Sequence, residues 1–166
     1  MRILGVDRGT HKMGFGIIEV LQDQTICLQW GCLEAPKTQP VHQRLDWLYN
    51  GLNEVVERWK PQYLAVEEPF VNPERGAKSA LILGQAQAVA LLLAAKAEME
   101  VHRYSPSTVK LTVGDHGGAT KLQLQRAIQI ALELPQEAIP EDASDALAVA
   151  LCHWRHWTVN QRIKAL

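Results

Sequence analysis

Cysteine is scarce in this sequence: Cys27, Cys32 and Cys152 are the only three in 166 residues. Three cannot all pair, and no two stand at CxxC spacing. A disulfide framework is therefore excluded, and reduced thiols in the cytosol are expected. Long apolar runs are missing as well. No window has the pattern of a signal peptide or the ~18 apolar residues needed to span a bilayer. The longest candidate, Ala86 to Ala97, contains Gln87 and Lys96 and is rich in alanine, which reads as a buried helix. There is no internal repeat and no low-complexity segment. Excess positive charge is lacking too, since the net charge is −1, which argues against a general nucleic-acid binder.

What is present fits one globular domain over residues 1–166, with a hydrophobic fraction of 47%. The charge is unevenly spread. From His102 to Leu132 there are four cations (Arg103, Lys110, Lys121, Arg126) against one anion, Asp115. That local balance of +3 makes the global charge a weak objection to DNA binding.

Periodicity places the elements. Residues 2–6 read as a buried strand, and Met13 to Val20 and Thr25 to Leu33 as two more, joined by a short polar link into an antiparallel meander. From Val41 to Trp59 the apolar positions Leu45, Leu48, Leu52, Val55, Val56 and Trp59 recur at helical spacing, and Pro61 marks the end of that helix. A strand from Tyr63 to Glu67 follows, then a loop with Pro69, Asn72, Pro73 and Gly76. Ala77 to Ala97 is predicted as a long helix and Val101 to Tyr104 as a short strand. Pro106 to Val113 and Thr120 to Glu133 are predicted helical, and a last helix follows Pro140. Meandering strands followed by strands alternating with helices predict a mixed sheet covered by helices.

Four carboxylates stand out against this frame. Asp7 and Glu67 each end an apolar strand, and strand carboxyl ends are where such sheets place ligands. Asp142 and Asp145 lie three residues apart at the start of the last helix and so share one face. A cluster that repels itself is stabilised by a cation. Oxygen ligands without Cys or His suit Mg²⁺ or Mn²⁺, and two such ions are the usual apparatus for phosphodiester cleavage. Each residue also has a plainer reading. Asp7 fits a strand-to-turn transition, Glu67 and Glu68 fit a solvated loop start, and Asp142 with Asp145 fit a helix cap. Strand alternation sends Glu67 and Glu68 to opposite faces, so only one should reach a cleft.

The order and setting of these acids resemble the RuvC-type Holliday-junction resolvases of the ribonuclease-H-like superfamily. The resemblance rests on Ile3-Leu4-Gly5-Val6-Asp7 with Gly14-Phe15-Gly16, on Leu64-Ala65-Val66-Glu67-Glu68-Pro69-Phe70, on Leu83-Gly84-Gln85-Ala86 with Val109-Lys110, and on Asp142-Ala143-Ser144-Asp145-Ala146-Leu147-Ala148. It covers nearly the whole chain. It implies a ribonuclease-H-like α/β fold, a mixed five-stranded sheet flanked by helices. It implies that Asp7, Glu67, Asp142 and Asp145 hold two Mg²⁺ ions, with Mn²⁺ able to substitute. Lys110 and Lys121 match basic positions near the scissile phosphate, and Phe70 an aromatic position that contacts bases. The implied reaction is a pair of symmetric nicks in a four-way DNA junction, leaving 5′-phosphate and 3′-hydroxyl ends. The implied assembly is a homodimer, with a RuvA-RuvB branch-migration complex as partner. Leu81, Gly84, Ala88 and Leu91 would form the dimer face.

The sequence departs from the resemblance at Arg8, where the family usually has Pro. Arg8 is placed to pair with Asp7, to lower metal affinity or to reach a DNA phosphate. A junction-binding protein disabled by Arg8 is therefore an alternative. An ATP-binding protein of the actin and sugar-kinase type is another, on Asp7-Arg8-Gly9-Thr10 and Gly14-Phe15-Gly16. Against it, no second glycine-rich loop follows, and 166 residues cannot supply two such subdomains. His116, in a glycine-rich loop, is a weak candidate for a base. The other histidines show no metal spacing, and the tryptophans are read as packing residues.

Overall fold

The structure, a computed structural model, describes residues 1–22, 24–68, 76–114, 117–135 and 139–165, with the backbone alone for 76–79. In chain order the described elements are β1 (Arg2–Asp7), β2 (Lys12–Leu21), β3 (Gln24–Glu34), α1 (Val41–Trp59), β4 (Tyr63–Glu67), α2 (Gly76–Lys96), β5 (Glu100–Tyr104), α3 (Pro106–Gly114), α4 (Lys121–Ala131) and α5 (Glu141–Lys164). The strands form one sheet in the order β3-β2-β1-β4-β5. β1, β2 and β3 pair antiparallel, as the predicted meander requires. β4 runs parallel to β1, and β5 parallel to β4.

Alternation along each strand divides the core into two layers. Leu4, Val6, Phe15, Ile17, Leu64 and Val66 face one side, where they pack with Leu48 and Leu52 of α1 and Ala90 and Leu93 of α2. Ile3, Ile18 and Ala65 face the other side, under Val109 of α3, Ile128 of α4 and Leu147 and Leu151 of α5. Asp7 is in phase with Ile3, and Glu67 is in phase with Ala65. The pleat therefore turns both acids toward α5.

Helix α5 seats unusually close to the sheet because glycine faces it. A Cβ at Gly5 would lie 1.9 Å from the Ala146 carbonyl oxygen, and one at Gly14 would lie 1.9 Å from that of Asp142. At Gly16 it would stand 2.5 Å from Leu147 Cδ2. These three positions form a bare strip on β1 and β2 into which the helix backbone sinks.

The helix ends have local causes. α1 stops at Lys60, whose φ of 46° is left-handed, just before Pro61. α4 begins with a capping box in which Thr120 Oγ1 accepts from the Gln123 amide at 3.2 Å and Gln123 Oε1 accepts from the Thr120 amide at 2.9 Å. It ends at Ala131, two residues short of the predicted Glu133. α5 corrects one expectation. Pro140 holds its N-cap position with no side-chain cap, so Asp142 sits inside the first turn and does not cap the helix. The tryptophans are also less uniform than expected. Trp59 and Trp154 pack against the core, while Trp30 and Trp47 are exposed.

Candidate active site

The parallel register pairs Val6 with Val66, which sets Asp7 and Glu67 level on adjacent strands. Such strands lie about 4.8 Å apart. Asp142 and Asp145 come over the same strand ends from the first turns of α5. The position suits them, because the unpaired N–H groups of a helix start favour negative charge. Asp7, Glu67 and Asp145 are half-buried, whereas Glu68 is exposed and lies just past the strand. Glu67 rather than Glu68 therefore joins the cluster.

The electrostatics show how closely the four are gathered. Burial raises the Asp7 carboxyl to a pKa of about 7, with further upward pressure from Asp145, Glu67 and Asp142 and relief from Arg8. Burial likewise raises Glu67, opposed by Arg8 and Lys110. Asp145 is raised by burial and by its neighbours Glu67 and Asp142, with Lys121 and Lys110 pulling the other way. Lys110 and Lys121 are both exposed, at the rim of the carboxylates they influence. Lys121 also forms an ion pair with Glu141, the residue before Asp142.

Three side chains make contacts at the site that lay outside the sequence reading. Lys12 Nζ stands 3.3 Å from Asp142 Oδ2 and 3.5 Å from Glu34 Oε1, and so tethers Asp142 to the sheet edge. Gln87, buried in α2, donates from Nε2 to the Glu67 carbonyl at 3.0 Å. Arg8 Nη1 donates to the carbonyls of Glu67 at 3.0 Å and Glu68 at 3.2 Å. The expectation that Arg8 would pair with Asp7 gives way to this backbone contact. No period or spacing announces Lys12 or Gln87, because their partners are 130 and 20 residues away in sequence.

Among the described residues, no three His, Cys, Asp or Glu side chains are set to hold a metal ion as they stand. The site gathers charge without closing a cage. The donor set itself fits a divalent cation: four carboxylates and no thiolate or imidazole, with Asp7 desolvated and pushed up by its own neighbours. Phe70 and His116 lie outside the described residues.

A family model described as "Crossover junction endodeoxyribonuclease RuvC" matches residues 3–153. The chain belongs to the RuvC family. A RuvC of Dehalococcoides mccartyi is 45% identical over 156 residues, which is 94% of this chain and 93% of that protein. One from Chloroflexus aurantiacus is 44% identical over 153 residues, 92% of each. The Thermus thermophilus RuvC structure superposes with a TM-score of 0.87 at 28% identity, covering 96% of this chain and 97% of that one. T. thermophilus RuvC in complex with a Holliday-junction substrate gives a TM-score of 0.89 at 28% identity, over 96% of each chain. The fold is the ribonuclease-H-like α/β fold of that family, and membership in it replaces the actin and sugar-kinase reading.

Away from this site lies a second polar group that the sequence reading passed over. His153 of α5 is buried, its Nδ1 2.8 Å from the Tyr104 hydroxyl and its ring stacked on His102 at 4.1 Å. His156 Nε2 lies 3.3 Å from Thr112 Oγ1. Burial, with lesser pressure from His102 and His156, lowers His153 to a pKa of about 4. The available signal was weak: His153 and His156 are one turn apart on α5, and His102 and Tyr104 share one face of β5. The three cysteines are free thiols, and burial raises Cys27 and Cys152 to about 11. No helix among the described residues is long and apolar enough to cross a membrane.

Proposed function

We propose that this chain is a Holliday-junction resolvase, a crossover junction endodeoxyribonuclease that nicks four-way DNA junctions in recombination and repair. The observation that carries the reading is the convergence of Asp7, Glu67, Asp142 and Asp145 on one end of the sheet in a chain of the RuvC family. Residues 1–166 act as one nuclease domain in the cytoplasm. Asp7, Glu67, Asp142 and Asp145 are the residues that would hold Mg²⁺, two ions per site, with Mn²⁺ as a substitute. Such ions supply an acidified water and Lewis acidity toward a phosphodiester.

The chain's own contribution is placement and charge. Burial of Asp7 and Glu67 keeps bulk water from screening the site. Lys110 and Lys121 lie where their charge lowers the carboxyls, and the same charge offsets the negative charge that grows on a phosphate under attack. Lys110, Lys121, Phe70 and Arg8 are the proposed DNA contacts. Arg8 spends Nη1 on the Glu67 and Glu68 carbonyls rather than on Asp7, which favours an active enzyme over a junction binder disabled at this position.

Paired symmetric nicks call for a twofold dimer, and α2 offers its face. Leu81 is 70% exposed, Leu92 is 51% exposed, and the space beyond Gly84 is open. Leu91 turns inward against the core, so Leu92 takes its place on the outer stripe of Leu81, Gly84 and Ala88. A RuvA-RuvB complex is the proposed branch-migration partner.

A labelled four-way junction incubated with and without Mg²⁺ tests the reading. Symmetric nicks are expected with the ion and intact DNA without it. Glu67→Gln should abolish cutting while Glu68→Gln retains most of it, and the reverse pattern would show the register to be wrong. Lys121→Ala should slow single-turnover cleavage at saturating protein by ~10²-fold. A wild-type rate would move that role to Lys110.

A further inference from the structure

We infer that Arg8 and Gln87 are positioning residues that jointly clamp the peptide carbonyl of Glu67 and so aim its carboxylate. The inference rests on the reading of Glu67 as a metal-holding residue. It starts from the ladder around the end of β4. On the β5 side the pairing continues to Glu67 opposite Tyr104, and the Glu68 amide donates to the Tyr104 carbonyl at 2.8 Å. On the β1 side the register ends at Val6 with Val66. The Glu67 carbonyl is met by two side chains instead. Arg8 Nη1 donates to it at 3.0 Å, and Gln87 Nε2 donates to it at 3.0 Å.

The two donors come from different parts of the fold. Arg8 directly follows Asp7, so its contact ties the loop after one acidic strand end to the backbone of the other. Gln87 comes from α2 and is only 4% exposed, so its amide has little freedom to look elsewhere. Arg8 extends the grip one peptide further through the Glu68 carbonyl at 3.2 Å. Rotation of the Glu67 peptide would swing the Cα–Cβ direction of the residue. A metal-holding side chain tolerates only about 10–20° of misdirection. A carbonyl held from two elements fixes that angle where the regular ladder no longer does.

The same arrangement gives α2 a line to the site. Its outer face carries the exposed stripe of Leu81, Gly84, Ala88 and Leu92, and Gln87 on its inner face touches the Glu67 backbone. A shift of α2 is therefore a shift of one donor on that carbonyl.

The test uses the whole chain and Mn²⁺ as the probe. Gln87→Met removes the donor at nearly constant volume. In the metal-free variant the Glu67 carbonyl ¹³C resonance is expected to move upfield, as it does when a carbonyl loses an N–H partner. Calorimetric Mn²⁺ affinity is expected to fall on the order of 10-fold. Single-turnover cleavage of a four-way junction should fall at low Mn²⁺ and recover at high Mn²⁺. Arg8→Met should move the resonance and the affinity in the same direction, which covers the case in which Gln87→Met does not fold. An unmoved resonance, a moved resonance with wild-type Mn²⁺ affinity, or a loss of cleavage that Mn²⁺ does not relieve each overturns the clamp. A wild-type chain that binds Mn²⁺ but leaves junctions intact defeats the nuclease reading. The clamp then still stands on the resonance and affinity shifts.

Discussion

Helix α5 buries two polar groups against the same sheet, and they are opposites. Its first turns carry Asp142 and Asp145 to Asp7 and Glu67, where every member is an acid and burial sets them against one another. Two turns beyond Asp145, His153 meets His102 and Tyr104, packed ring on ring, and burial disfavours charge on His153. Burial acts on both, raising Asp7 and lowering His153. The difference lies in what completes each group. The rings of His102 and His153 stack and the Tyr104 hydroxyl meets Nδ1, so the inner group is held by ring packing and one hydrogen bond, with His153 Nε2 buried and lacking a hydrogen-bond partner among the described residues. The carboxylates have Lys12, Arg8, Lys110 and Lys121 around them but no closed partner set, so the outer group asks for something from outside. A buried polar cluster without like charges can rest on ring packing, whereas a cluster of like charges stays in tension until a counter-charge joins it.

The largest effect that would break this comparison is chemical. Asp7→Asn should cut junction cleavage by ~10³-fold or more, beyond the loss of one electrostatic stabiliser. The same change should make the metal-free protein more stable by roughly 1–3 kcal/mol, since it removes a charge that its surroundings resist. A thermal melt without divalent ions reads this, and a less stable variant would mean that the carboxylates are not in tension. Next comes the seat of the helix. Gly14→Ala puts a methyl group against the Asp142 carbonyl. The expected cost is about 3 kcal/mol, with cleavage reduced because α5 must lift. Denaturant unfolding and single-turnover cleavage measure the two, and wild-type values in both would show that α5 does not depend on the strip.

The pH dependence of stability sharpens the contrast, because the two groups have opposite signs. His153 titrates near 4 when folded and near 6.5 when unfolded. Between those values the unfolded chain binds more protons, so stability falls with acid, by up to about 3 kcal/mol. Asp7 titrates near 7 when folded and near 3.8 when unfolded, so the folded chain binds more protons and stability rises as pH drops through that range. In the metal-free wild type the two slopes oppose each other between about pH 4 and 6.5. Asp7→Asn should expose the histidine slope, and His153→Leu should expose the aspartate slope. Urea melts across that range check both, and unchanged slopes in the variants would remove the contrast. The smallest effect is at Lys12, which is exposed and half-committed to Glu34. Lys12→Ala should leave the melting temperature nearly unchanged, because exposed ion pairs contribute little. It should slightly strengthen Mn²⁺ binding by freeing Asp142, and weaker binding would make Lys12 part of the site.

Much of this was legible in the sequence. Strand alternation and helical spacing located β4 and α1 to the residue, because their apolar positions carry the signal directly. The four acids were legible as a group because three ended or opened elements whose ends meet. What was hidden came from tertiary approach. The glycine motifs were visible, but that they form the bed of α5 depends on a contact between residues 14 and 142. Arg8 read as a partner for Asp7 or for a DNA phosphate, and the fold adds the carbonyls of Glu67 and Glu68, which its Nη1 meets. Gln87 read as a polar interruption in a buried helix, and only the fold shows which carbonyl it meets. The histidine group stayed unread because its spacing suits no metal; it is held by ring packing, which has no period.

The place of α5 in the chain has a consequence for how the protein is made. Every strand of the sheet leaves the ribosome before this helix does. Until Glu141 to Lys164 is synthesised, the strip at Gly5, Gly14 and Gly16 lies open, and Asp7 and Glu67 stand without their two partners. From residue 67 until α5 is made, a growing chain therefore carries only Asp7 and Glu67 of the four carboxylates. The four carboxylates meet only when α5 docks, so a ribosome-stalled fragment ending before Glu141 would lack two of the four proposed metal-holding residues.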